Sequence, residues 1–147
     1  MSRTLEQSLR NAIEVEKAAA AFYTRLAKRT QDEPTRAFFQ EMAQQEEQHA
    51  ASLEAVSKRL DAGDLPAFAD DKVASVETAM GWEQLEGEMD LKTALAMAIE
   101  AENNAALYYD AMADFAQGEA RELFRKLTSS EEHHAERLRK RLDALSS

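Results

Sequence analysis

Two short stretches, Glu46-Glu47-Gln48-His49 and Glu131-Glu132-His133-His134, constrain this chain more than any other feature. Each places a His three residues after a Glu. On a helix that spacing puts a carboxylate and an imidazole on one face, about 5–6 Å apart at their Cβ atoms. A Phe precedes each Glu by seven residues, Phe39 in one case and Phe124 in the other. The segment before each stretch is also written twice. Ile13-Glu14-Val15-Glu16 leads to Phe22-Tyr23, and Ile99-Glu100-Ala101-Glu102 leads to Tyr108-Tyr109. Glu16 and Glu102 are 86 residues apart, whereas Glu46 and Glu131 are 85 apart. The pattern therefore predicts two related helix hairpins, the second with a connection one residue shorter.

Steps of three and four residues trace one seam along each predicted helix. The first seam is Leu5, Leu9, Ala12, Glu16, Ala19, Tyr23 and Leu26. The second is Phe39, Met42, Glu46, His49, Leu53, Val56 and Leu60, on a helix that Asp32 can cap and Pro34 can open. The third is Leu91, Leu95, Ala98, Glu102, Ala105, Tyr109, Met112 and Ala116, with Asp90 as cap and Gly118 as its expected end. The fourth starts near Glu119 and reads Ala120, Phe124, Leu127, Glu131, His134 and Leu138, with Leu142 and Leu145 following. Residues 61–90 contain three of the four glycines and one of the two prolines. That stretch is too long for a tight turn and long enough to span a helix of about 25 residues, roughly 35–40 Å. It reads as a crossover carrying a short helix within residues 67–80, with Trp82 packing it down. The expected fold is all-α: an antiparallel four-helix bundle of two hairpins, residues 5–60 and 91–145, forming one domain over residues 1–147.

Six polar residues fall on these otherwise apolar seams: Glu16, Glu46, His49, Glu102, Glu131 and His134. An ionised carboxylate buried alone carries a large desolvation penalty, and several together repel one another. A bound cation removes both difficulties. One Glu from each of two helices and a Glu-x-x-His from each of the other two is the ligand set of a dinuclear site inside a helical bundle. Four carboxylates and two neutral imidazoles carry −4, which matches two divalent ions. Oxygen donors mixed with imidazole suit Fe, Mn or Zn. In this reading Glu46 and Glu131 bridge, Glu16 and Glu102 are terminal, and each His serves one ion. Tyr23 and Tyr109, two turns after the terminal glutamates, are candidates to hydrogen-bond a ligating carboxylate. Glu47, Gln48, Glu132 and His133 fall off the seams and read as surface residues.

Composition narrows the chemistry. There is no cysteine, so a thiol nucleophile, an iron–sulfur cluster and a four-cysteine iron or zinc site are excluded within these 147 residues. The net charge of −10 disfavours nucleic acid as a partner. No apolar run reaches the length of a membrane span, and the N-terminus lacks a signal-peptide core. These features lead us to expect a soluble cytoplasmic protein.

The paired motifs (Glu16 with Phe22-Tyr23, Phe39 with Glu46 and His49, Glu102 with Tyr108-Tyr109, Phe124 with Glu131 and His134) resemble the ferritin-like superfamily, and within it the rubrerythrin-like branch. The resemblance covers the four helices. It implies a ferritin-like bundle with two Fe ions, and oxidation of ferrous iron by hydrogen peroxide or dioxygen. Rubrerythrins usually carry a four-cysteine rubredoxin-type site. None is present here, so a peroxidase cycle implies an external electron donor protein. Rubrerythrins also carry a further glutamate one turn after the third-helix ligand, where this chain has Ala105. The remaining four-Glu, two-His set is closer to the bacterioferritin arrangement. Cage-forming ferritins generally have a further short helix after the fourth, so a homodimer is expected rather than a storage shell. The alternatives are a ferroxidase or iron-handling protein, a di-iron oxygenase with an organic substrate, and a structural bundle with a non-redox metal.

Overall fold

The structure, a computed structural model, describes residues 2–59, 67–69 and 90–146. It divides into two compact units, Met1–Ala69 and Asp70–Ser147. Each described unit is built around one helix hairpin. Helix α1 spans Leu5–Arg29 and α2 spans Glu33–Arg59. In the second unit α3 spans Leu91–Phe115 and α4 spans Gly118–Ser146. Three residues separate α1 from α2, and two separate α3 from α4. This is where the one-residue difference in the sequence repeat arises.

The helix starts follow from local chemistry. The Asp32 carboxylate accepts from the Thr35 amide at 3.1 Å and from its hydroxyl at 2.6 Å, at the head of α2. Asp90 caps α3 by accepting from the Thr93 amide at 2.8 Å. Each cap satisfies an amide that has no partner within its own helix.

An arginine then ties each hairpin at its turn. Arg36 Nε donates to the Thr30 carbonyl at 3.1 Å. Arg121 Nε donates to the carbonyls of Ala116 at 2.8 Å and Ala113 at 3.1 Å. Both arginines satisfy carbonyls at the end of the preceding helix, and they are 85 residues apart, as the ligands on the same helices are. The duplication thus extends to the turn as well as the seams.

Three expectations need correction. Gly118 does not end the third helix. That helix closes at Phe115, with Ala116 extended as its cap, and Gly118 opens α4 with φ +59°. A two-residue reversal needs a left-handed residue at this point, which glycine adopts without a Cβ penalty. Ala67–Ala69 is not helical. It forms a short strand, β2, paired antiparallel with β1 at Ser2–Thr4, in the register Ser2↔Ala69, Arg3↔Phe68 and Thr4↔Ala67. Three residues carry too little alternation to announce a strand, and each gains backbone partners from the other. Leu145 is exposed and Leu142 only half-buried, so the α4 seam closes at Leu138. The rest of the expected crossover helix, Leu60 and Trp82 lie outside the described residues.

The cores follow the predicted seams. Leu9, Ala12, Ala19, Tyr23 and Leu26 on α1 are buried, as are Phe39, Met42, Leu53 and Val56 on α2. On α3 and α4, Leu95, Ala98, Ala105, Tyr109, Met112, Phe124, Leu127 and Leu138 are buried. Tyr23 stacks on Phe39 with ring centroids 6.3 Å apart and planes at 16°. Tyr109 stacks on Phe124 at 6.1 Å and 18°. These matched aromatic pairs fix the register of each hairpin two turns from the polar residues. Among the described residues no helix is long and apolar enough to cross a membrane.

Candidate metal centre

Each hairpin gathers one carboxylate from its first helix and a carboxylate with an imidazole from its second. In the first unit, His49 Nδ1 lies 3.2 Å from Glu46 Oε1 and 3.5 Å from Glu16 Oε2. In the second, His134 Nδ1 lies 3.6 Å from both Glu131 Oε1 and Glu102 Oε2. Within each triad the potential ligand atoms lie within 4.8 Å of one another. All four glutamates and His134 are buried, with at most 1% of their surface exposed. The His49 side chain keeps 14%.

Local periodicity explains the convergence. Glu46 and His49, like Glu131 and His134, sit one helical turn apart on the same stripe. The antiparallel partner helix presents Glu16 or Glu102 at the same level. The aromatic stack and the arginine clasp hold that level in each hairpin.

The donor set passes a simple geometric test for a cation. Atoms bound to one ion at about 2.1 Å stand roughly 3.0–3.4 Å apart along the edges of an octahedron or tetrahedron. One observed spacing, 3.2 Å, falls within that range and the other three, at 3.5–3.6 Å, lie 0.1–0.2 Å beyond it, close enough for a bound ion to draw the groups in. All four are longer than the roughly 2.7–2.9 Å of a strong charge-assisted hydrogen bond. One imidazole nitrogen facing two carboxylates at near-equal distance is what a shared ion between the three groups requires. The residues present therefore fit a divalent cation in each triad.

Every metal-type residue read from the sequence occupies a triad. Tyr23 and Tyr109 are fully buried, and what defines their place is ring packing against Phe39 and Phe124. Glu47, Gln48, Glu132 and His133 are exposed, as their positions off the seams predict. Ala105 is buried and adds no carboxylate to the second triad. Arg36 and Arg121, which sequence reading passed over, could have been found from their own spacing of 85 residues. Two clefts, of about 480 and 430 Å³, lie one on each hairpin. The first is lined in part by Thr24, Arg36 and Glu47, the second by Asn103, Leu107 and Glu132, and no triad residue lines either.

No curated protein matches the sequence. Among solved structures, a protein from Thermotoga maritima described as a ferritin-like diiron-carboxylate protein superposes with a TM-score of 0.78. It is 19% identical, and 95% of each chain is covered. This likeness shows the fold class, an all-α ferritin-like four-helix bundle. The family model for rubrerythrin matches residues 7–145, a span that takes in both triads and nearly the whole of the four helices. A match over nearly the whole chain settles the family: the chain belongs to the rubrerythrins.

Proposed function

We propose that the two triads together form a dinuclear centre and that the protein is a non-haem di-iron oxidoreductase. It reduces hydrogen peroxide, or dioxygen, as ferrous iron is oxidised. It acts as a homodimer and is re-reduced by an external electron donor protein. The observation that carries this reading is the matched pair of buried Glu–Glu–His triads, each with one imidazole nitrogen 3.2–3.6 Å from two carboxylates. Membership in the rubrerythrin family and the likeness to a protein described as a diiron-carboxylate protein support the choice of iron.

When bound, two ferrous ions supply one electron each, enough with two protons to convert one hydrogen peroxide to two waters. The chain's own residues set the conditions for that exchange. Glu16, Glu46 and His49 would hold one ion, and Glu102, Glu131 and His134 the other. Four carboxylates balance the charge of two divalent ions, and their burial keeps competing water away. Oxygen donors tolerate the higher charge of the oxidised ions better than thiolates or amines would. Imidazole on each ion keeps a neutral donor in the set, so the total charge stays close to zero in the reduced state.

A ferroxidase is the second reading. Buried Ala105 favours it, because the chain lacks the extra third-helix glutamate and has the symmetric ligand set instead.

Elemental analysis of freshly purified protein tests the proposal. About two irons per chain, with a visible absorption that bleaches on reduction and returns on adding peroxide, would support it. Return with dioxygen only, accompanied by iron release, would favour the ferroxidase. Zinc, or well under one redox metal per chain after iron loading, would replace both with a structural bundle. Glu131→Ala should lower metal content while leaving helical circular dichroism largely intact. Unchanged metal content would remove Glu131 from the centre.

A further inference from the structure

The two triads match in residue type and spacing but differ in their access to solvent. His49 keeps 14% of its side chain exposed, whereas its counterpart His134 keeps 1%. Residues next to the seam differ in the same direction. Ile13 and Val15, just before Glu16, are half-buried. Their counterparts Ile99 and Ala101, just before Glu102, are buried at 8% and 4% exposure. Side-chain size does not account for the first pair, because Ile13 and Ile99 are the same residue, whereas Val15 is larger than Ala101. Three corresponding positions, one on the ligand itself and two within a turn of its carboxylate partner, are all more open in the first hairpin. The cleft on that hairpin is elsewhere: none of Ile13, Val15 and His49 lines it.

We infer that the first triad is the exchanging half of the centre. Its ion enters and leaves past the partly exposed His49, while the second triad, whose His134 is buried, holds its ion in a closed pocket. The inference rests on the dinuclear reading above and adds an order to it. To release an ion from Glu16, Glu46 and His49, a partly solvated imidazole has to swing outward, with water ready to replace it. To release one from Glu102, Glu131 and His134, the surrounding packing has to open first, and such openings are rarer than motions of solvent-exposed groups. Loading and loss should therefore be sequential.

Zinc is a suitable probe, because it binds the same donors and has no redox chemistry to complicate the kinetics. The full-length chain carrying two equivalents of zinc is mixed with excess chromogenic chelator, and release is followed by absorbance. The expected trace has two phases of equal amplitude with rates at least about tenfold apart. His49→Ala should retain one slowly released zinc, and His134→Ala one quickly released zinc, with circular dichroism confirming that each variant is folded. Equal release rates in the parent protein, or the reverse assignment in the two histidine variants, would overturn the inference and leave the dinuclear reading standing. If the parent chain binds fewer than two zinc ions, the dinuclear reading itself fails.

Discussion

Tyr109 packs in the core and is a candidate to act on the metal centre, and one substitution separates the two. Its ring stacks on Phe124, and its seam position is two turns beyond Glu102. Tyr109→Ala should destabilise the protein by about 3–5 kcal/mol, the usual range for removing a large buried aromatic. Tyr109→Phe keeps the ring, so its effect on chemical unfolding should be much smaller. If iron content or peroxide turnover nevertheless falls in Tyr109→Phe, the phenol acts on the centre; if neither changes, the residue is packing. Asp90 shows the value of a single cap. Its hydrogen bonds from Thr93 hold the carboxyl below its ordinary value of 3.8. A depressed carboxyl stabilises the fold above that value and loses its contribution as pH falls through the lower, folded-state pKa. Asp90→Ala should therefore lower the thermal midpoint at neutral pH, and the gap from the parent should close on acidification below about 3.8.

The element that recurs is the clasped helix hairpin. Seam burial supplies most of its cohesion, but a seam alone permits a slip of one helix along the other. The stacks of Tyr23 on Phe39 and Tyr109 on Phe124, with the Arg36 and Arg121 clasps, oppose such a slip. Register matters here because a slip of one turn, about 5.4 Å, would remove Glu16 or Glu102 from its histidine. Arg121→Ala removes a charged donor shared by two carbonyls. It should cost about 1–2 kcal/mol in urea unfolding. It should also lower metal affinity, even though Arg121 is no ligand. Arg121→Lys should recover little of the loss, because an ammonium lacks the planar geometry of the guanidinium.

At the scale of the whole molecule, buried carboxylates are a destabilising feature in the metal-free chain. Desolvation of an ionised group costs several kcal/mol even after local relaxation, and like charges within each triad add to it. Metal binding reverses this and stabilises the folded state by mass action. At a free metal concentration about one hundred times the dissociation constant, the gain is about 2.7 kcal/mol per site. Adding ferrous iron under anaerobic conditions, or zinc, should raise the thermal midpoint, and a chelator should return it to the metal-free value. A midpoint insensitive to metal would contradict the proposed centre at the level of the fold.

Much of this was readable in the linear chain, because helical periodicity is a local rule. A residue three or four places from another shares its face wherever the helix sits. Glu46 therefore had to stand beside His49, and the repeat with a one-residue deletion had to produce two hairpins with unequal turns. The caps at Asp32 and Asp90 were legible for the same reason. Other features depended on groups distant in sequence. Ser2–Thr4 is a strand because Ala67–Ala69 offers its backbone, and no local pattern announces that pairing. Gly118 opens a helix instead of closing one because the reversal from α3 needs a positive φ at that residue. The aim of each arginine at its turn and the unequal exposure of His49 and His134 likewise depend on three-dimensional surroundings. Repeated local spacing specified which residues form the two triads; packing in three dimensions decided how tightly each one is enclosed.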